Sequence, residues 1–343
     1  MGGRYLYLSP IFKMHVPPRR SGHMESPERF DKLRRSLKPL AVRNGWTLIE
    51  PEAARLKFYE AAHDPMYIAG LLSELEAALD SYFIDSDTYI SPGTQAALEA
   101  LSWSAHHALE AAEKGELQAA FIAGRPPGHH AGVSGPGLGA PSLGACLLNT
   151  AASLALKASS RGLKVVLVDF DLNHGNGSQE IVEAFGRENL FLIDVHQDWR
   201  TTFPWTGEPG VAAGGHALNI VVPGNSGDDI ILSIVDGVEA LVDELEPDLV
   251  IVSAGFDFYK GDSHLTLTRT TSRFFHRIGL LVSKYPSISV LETGFSAGLE
   301  RGAPAYLAGL SGSSDPIGDR ETRSSENVWR EFEELNKNIV EFV

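Results

Sequence analysis

Two aspartates two residues apart, an asparagine two further on and a histidine directly after it open the stretch DFDLNHGNG (169–177). In extended chain, alternate residues share a face. Asp169, Asp171 and Asn173 therefore point one way and His174 the other, unless the strand has already broken. Asp257 ends a second apolar run, DLVIVSAGFD (248–257). Two carboxylates and a third oxygen or nitrogen donor, arriving from two strand ends, can hold one divalent metal with an open position. The plainer alternative is that strand-end aspartates cap the helices that follow.

The second cluster is RPPGHHAG (125–132). A Pro-Pro-Gly turn would fix His129 and His130 in one place, and imidazole is the natural acid or base near neutral pH. A buried histidine needs a partner for its other ring nitrogen, and Asp169 or Asn176 could serve. The Gly-rich loop after the histidines lacks the G-x-x-x-x-G-K-[ST] arrangement of a phosphate cradle. No G-x-S-x-G elbow supports a serine nucleophile. Cys146 stands between a loop and a helical run, and reads as a small core residue.

These side chains need a scaffold that brings strand ends together. Short runs rich in Val, Ile and Leu recur at 119–124, 164–171, 190–195, 218–223, 248–255 and 287–294. They do not alternate, as expected of strands buried on both faces of a parallel sheet. Helical patterns cover 65–80, 94–114, 148–160, 226–245, 269–283 and 323–341. A further helix begins at Ser26 as cap, with Pro27 in its first turn, and stops at Gly45. Strand–helix alternation predicts one α/β domain over residues 1–343 with a central, mostly parallel sheet. Ligands bind such sheets at the carboxyl ends of the strands. The runs that end in DFDLNHGNG, DVHQD, SAGFDFYKGD and ETGFS should therefore build the site.

The 343 residues include 43% hydrophobic and 21% charged side chains, which suits a globular chain with a sizeable core. A net charge of −15 disfavours nucleic acid and anionic membranes as partners and can attract amines. One cysteine cannot form an internal disulfide. With no signal-peptide pattern and no apolar run near the length of a membrane span, a cytoplasmic location is the expectation. The opening Met-Gly-Gly lacks the Ser or Thr of a myristoylation site. Oligomeric state, including a homo-oligomer, is left open.

The ordered motifs resemble the histone deacetylase family, on the side of the acetylpolyamine amidohydrolases and bacterial deacetylase-like proteins. They are HMESPERF (23–30), HDPMYI (63–68), DSDTYISPGT (85–94), RPPGHHA (125–131), GACLLNTAA (144–152), DFDLNHGNGSQ (169–179), FPWTGEP (203–209), SAGFD (253–257) and LETGF (291–295). The resemblance implies an arginase/deacetylase-like three-layer α/β sandwich. It also implies hydrolysis of an acylated amine, either acyl-lysine, acetylpolyamine or a related small molecule, by metal-activated water. The family's ligand positions fall on Asp171, Asn173 and Asp257, and its tandem histidines on His129 and His130. Asp169 and Asn176 take the places that support those imidazoles, and Arg29 that of an arginine near an internal exit channel. The implied metal is Zn2+ or another divalent ion, with a structural potassium ion near the backbone carbonyls of Asp169 and Asp171.

Three positions depart from the family pattern. Asn173 replaces a histidine ligand, which makes the site oxygen-only and favours harder ions or weaker zinc binding. Phe295 stands where a G-G-Y tyrosine would hydrogen-bond the developing oxyanion. Ala145, beside Gly144, replaces an aromatic wall of the substrate channel, while Phe203 keeps the other wall. Tyr259 reads as a solvated loop residue rather than a substitute donor. Two functions fit: a metal-dependent deacetylase with altered metal or substrate, or an impaired homologue that binds an acylated amine.

Overall fold

The computed structural model describes residues 2–52 and 56–339. The strands are β1 (Gly3–Tyr7), β2 (Thr47–Ile49), β3 (Tyr82–Phe83), β4 (Tyr89–Ile90), β5 (Leu117–Ile122), β6 (Val165–Asp169), β7 (Leu190–Gln197), β8 (Gly210–Ala212), β9 (Ala217–Val222), β10 (Leu249–Ala254) and β11 (Ser287–Leu291). β3 and β4 form a small antiparallel pair. The other nine make one sheet in the order β2-β1-β5-β11-β10-β6-β7-β9-β8, parallel throughout except for β8 at the edge.

The helices are α1 (Pro27–Arg43), α2 (Pro65–Ala77), α3 (Thr94–Glu113), α4 (Thr150–Ser160), α5 (Asn176–Phe185), α6 (Asp228–Leu245), α7 (Ser272–Val282), α8 (Ala303–Leu310) and α9 (Glu326–Leu335). The expected C-terminal helix extended to 341, and its residues from 340 on lie outside the described ones. Ser26 does stand at the cap of α1, but its hydroxyl takes no backbone N–H there. Among the described residues, no helix is long and apolar enough to cross a membrane.

Every residue of β6, β9, β10 and β11 is buried, because helices cover both faces of the sheet. The strand period of two divides the core. Val166, Val168, Val250 and Val252 pack with α6, α7 and α8. Val165, Leu167, Leu249 and Ile251 pack on the other face with α3 and α4.

The centre of the sheet runs β5-β11-β10-β6. Each of these four neighbours leads at its carboxyl end into one stretch rich in polar residues: RPPGHH, ETGF, GFD and DLNHGN. Parallel alignment brings those four stretches to the same edge, which is where the sequence places its chemistry.

Candidate active site

Asp169 is the last residue of β6, pairing in register with Asp194 of β7 and Ser253 of β10. The strand therefore breaks before Asp171. Asp169 Oδ1 accepts the Asp171 N–H at 3.0 Å, and its Oδ2 lies 3.1 Å from His129 Nδ1. His130 Nδ1 lies 2.7 Å from Asn176 Oδ1 at the start of α5. The Asn176 amide nitrogen donates to the Gly137 carbonyl, which can only accept. This fixes the amide, so Oδ1 faces the ring and His130 carries its proton on Nδ1. Its Nε2 is then the basic nitrogen. Asp169 and Asn176 thus stand where sequence reasoning sought partners for the histidines.

Burial opposes a charge on both imidazoles. At His129 it is outweighed by Asp171 and Asp169, which hold the pKa well above the usual histidine range. At His130, burial and then the neighbouring His129 hold it well below. Two adjacent histidines are thereby pushed in opposite directions, the arrangement that gives neighbouring groups different acid–base roles. His129 Nε2 is buried without a hydrogen-bond partner, 3.8 Å from Asp171 Oδ1.

Asp171 and Asp257 form a buried carboxylate pair. Burial and then the charge of Asp171 push Asp257 well above the usual carboxylate range. Asp257 Oδ1 accepts the Leu172 N–H at 3.1 Å, and Asp171 Oδ1 accepts that of Asn173 at 3.0 Å. Gly255 permits this approach, because a Cβ there would collide with the Asp171 carboxylate. The Asn173 amide nitrogen donates to Thr202 Oγ1 at 3.0 Å and to the Phe203 carbonyl at 2.6 Å. That carbonyl only accepts, so the amide orientation is set and its carbonyl oxygen is the atom free for a ligand. Two converging carboxylates and an amide oxygen suit a hard divalent cation, which would relieve the repulsion between the acids. His174 does not replace Asn173. Its Nδ1 meets Thr206 and its Nε2 meets Gln179, both at 2.9 Å.

Sequence reasoning missed a second donor group. His129, Cys146 and Glu292 offer ligand atoms within 4.8 Å of one another, all buried. Glu292 Oε2 accepts the Gly128 and His129 N–H groups at 2.7 and 3.1 Å, while Oε1 has no partner. Burial pushes Glu292 up to about 7 and raises the Cys146 thiol well above its ordinary range. Burial thus opposes the charged form of both groups, as it does at Asp257.

Above these groups lies a cavity of about 370 Å³, lined by His130, Asn173, Phe203, Ala145 and Phe295 among others. Phe203 meets the His130 ring edge-on at 4.9 Å. Gly144, at φ +57°, passes so close that a Cβ would come within 2.6 Å of both rings. Ala145 leaves its side of the channel without an aromatic wall. Phe295 carries no donor, and its ring centroid lies 5.3 Å from the Arg29 guanidinium carbon. Arg29 also lines the cavity and binds the carbonyls of Glu292 and Gly294. Tyr259 differs from its expected solvated state. It is buried, bonded to Arg301 and Asp319, and does not line the cavity.

Two other residues escaped sequence reasoning. Asp262 accepts the N–H groups of Phe295, Ser296 and Gly298, and so holds the loop that carries Phe295. Thr293 donates its N–H at 3.0 Å and its hydroxyl to Asp171 Oδ2. Nothing in the local pattern marks Asp262. Thr293 was visible as the residue in place of the first glycine of G-G-Y.

The histone deacetylase domain model matches residues 23–310. The chain is 36% identical to an uncharacterised protein of Methanocaldococcus jannaschii over 341 residues, covering 96% of this chain and 93% of that one. It is 31% identical to a probable deacetylase of Methanothermobacter thermautotrophicus over 316 residues, covering 89% of each. The crystal structure of an acetylpolyamine aminohydrolase from Burkholderia pseudomallei superposes with a TM-score of 0.74 at 26% identity, covering 90% of this chain and 98% of that one. The sheet, the surrounding helices and the matched span together make this chain a member of the histone deacetylase family, whose relatives are deacetylase-type amidohydrolases.

Proposed function

We propose that the chain removes an acyl group from an acylated amine, an acyl-lysine or acetylpolyamine being the nearest chemical classes. The observation that carries this reading is the histidine pair: each Nδ1 is anchored, one to a carboxylate and one to an amide, and the two pKa values are pushed apart. A divalent cation held by Asp171, Asp257 and the Asn173 amide oxygen would supply Lewis acidity and a more acidic water.

His130 lines the cavity and is neutral with Nε2 basic. It takes the proton of the attacking water as the C–O bond forms. It then returns that proton to the amine nitrogen as the C–N bond breaks. His129 lies deeper, its Nδ1 on Asp169 and its Nε2 unpartnered, so its role is to orient the attacking water. Phe203, with Ala145 opposite, leaves room for a chain bulkier than an extended acetyl-lysine stem. The acidic surface favours cationic amines.

The test is release of carboxylate from acylated-amine panels by purified protein supplied with Mn2+ or Zn2+. His130→Ala should lower kcat by about 10²–10⁴ on the best substrate, the usual worth of a positioned acid–base group. Turnover unchanged in that variant would refute the assignment of His130.

A further inference from the structure

We propose that the Thr293 hydroxyl is a fourth oxygen donor to the cation of Asp171, Asp257 and Asn173, and that it biases the site toward Mn2+ relative to Zn2+. The inference rests on the reading above that this site holds a divalent cation. Thr293 lies two residues past β11, where both its N–H and its hydroxyl reach Asp171 Oδ2. One alcohol oxygen is thus held against Asp171, a member of the buried Asp171–Asp257 carboxylate pair, where a cation would be most stabilised.

Its position is not left to a flexible loop. Arg29 Nη2 binds the carbonyl before Thr293 at 2.5 Å, and Arg29 Nε binds the carbonyl after it at 2.7 Å. Thr293 and Asn173 also line the same cavity. A hydroxyl that gives its proton to a carboxylate keeps its lone pairs for a ligand. His129 Nε2, fully buried and unpartnered beside Asp171, is an independent sign that this corner is built to face another polar group.

The donor chemistry then sets the preference. Two carboxylates, an amide carbonyl and an alcohol are all hard oxygen ligands, which suit Mn2+ and Mg2+, whereas Zn2+ gains most from imidazole and thiolate. Glycine at position 293 would offer no such oxygen. Thr293 and Asn173 are on this view two parts of one change in ligand set.

The experiment compares the metal-stripped full chain with Thr293→Ser and Thr293→Val. Mn2+ binding is followed by electron paramagnetic resonance, and Zn2+ binding by competition with a chromophoric chelator. The wild type should bind Mn2+, and serine should retain that affinity within about threefold. Valine should lose at least about tenfold more affinity for Mn2+ than for Zn2+, a loss at the scale of removed metal-site contacts. Equal losses for the two ions would reduce Thr293 to a support for Asp171 and overturn the proposal, as would unchanged Mn2+ affinity in the valine variant. If valine prevents folding, Thr293→Ala carries the same comparison. A wild type that takes up neither ion would instead bring down the cation site itself, and with it any ligand role for Thr293.

Discussion

Phe295 puts a ring in the cavity but no donor where the proposed acyl transfer would build negative charge. A single oxyanion donor is worth roughly 10²–10³ in rate. Phe295→Tyr should therefore raise kcat on acetyl-lysine peptides by up to about that factor, with little change in metal affinity. A steady-state comparison showing no gain would mean that the cation already meets this need. At this scale much was legible in the sequence. The two histidines, Asp169, Asp171, Asn173, Asn176 and Asp257 come together because their motif spacing is local and their strands are neighbours. Cys146 and Glu292 were hidden because their proximity to His129 arises only in the packed molecule. The pKa separation of His129 and His130 was equally hidden, since burial and nearby carboxylates create it.

The elements were readable where both faces are covered. The runs at 164–171, 248–255 and 287–294 became β6, β10 and β11 because Val, Ile and Leu without alternation mark strands inside a sheet. β1, β2, β3, β4, β8, α5 and α8 were not identified. β1 and β2 are short and carry partly exposed residues, and the Asn-Gly start of α5 reads as loop until Asn176 is seen holding His130. Loop geometry is set by tertiary bonds, and Asp262 is the clearest case. One carboxylate collects three backbone N–H groups behind Phe295. Asp262→Asn removes the charge and turns an NH2 toward at least one of those donors. It should cost about 1–3 kcal/mol, the worth of charge-assisted bonds left unmet. Urea unfolding measures this, and a loss below about 0.5 kcal/mol would show that the loop is held by something else.

Across the whole molecule, Glu25 ties distant parts of the chain together. It pairs with Arg29 of α1 and with Arg125 after β5, and it accepts a bond from the Tyr89 hydroxyl of β4 at 2.8 Å. Burial raises the pKa of its carboxyl, but Arg125 and Arg29 outweigh that and hold it far below the usual range. A depressed folded pKa means that the contribution is present above the unfolded value near 4.3 and is lost as pH falls below it. The wild type should thus lose thermal stability steeply below about pH 5. Glu25→Gln should lower stability at neutral pH by about 3–5 kcal/mol, since two guanidinium groups lose their buried counter-charge. It should also flatten the acid limb of a Tm-against-pH curve, and an unaltered limb would assign acid lability to other groups. The four central strands carry a consequence for how the molecule is made. Residues from 125 to 295 meet at one sheet edge only after parallel pairings between distant segments have closed, and such pairings form slowly. The candidate site therefore assembles late in folding, as a property of the completed sheet. A ligand that recognises only that edge acts as a thermodynamic clasp on the whole chain, adding stability that grows with the logarithm of its concentration.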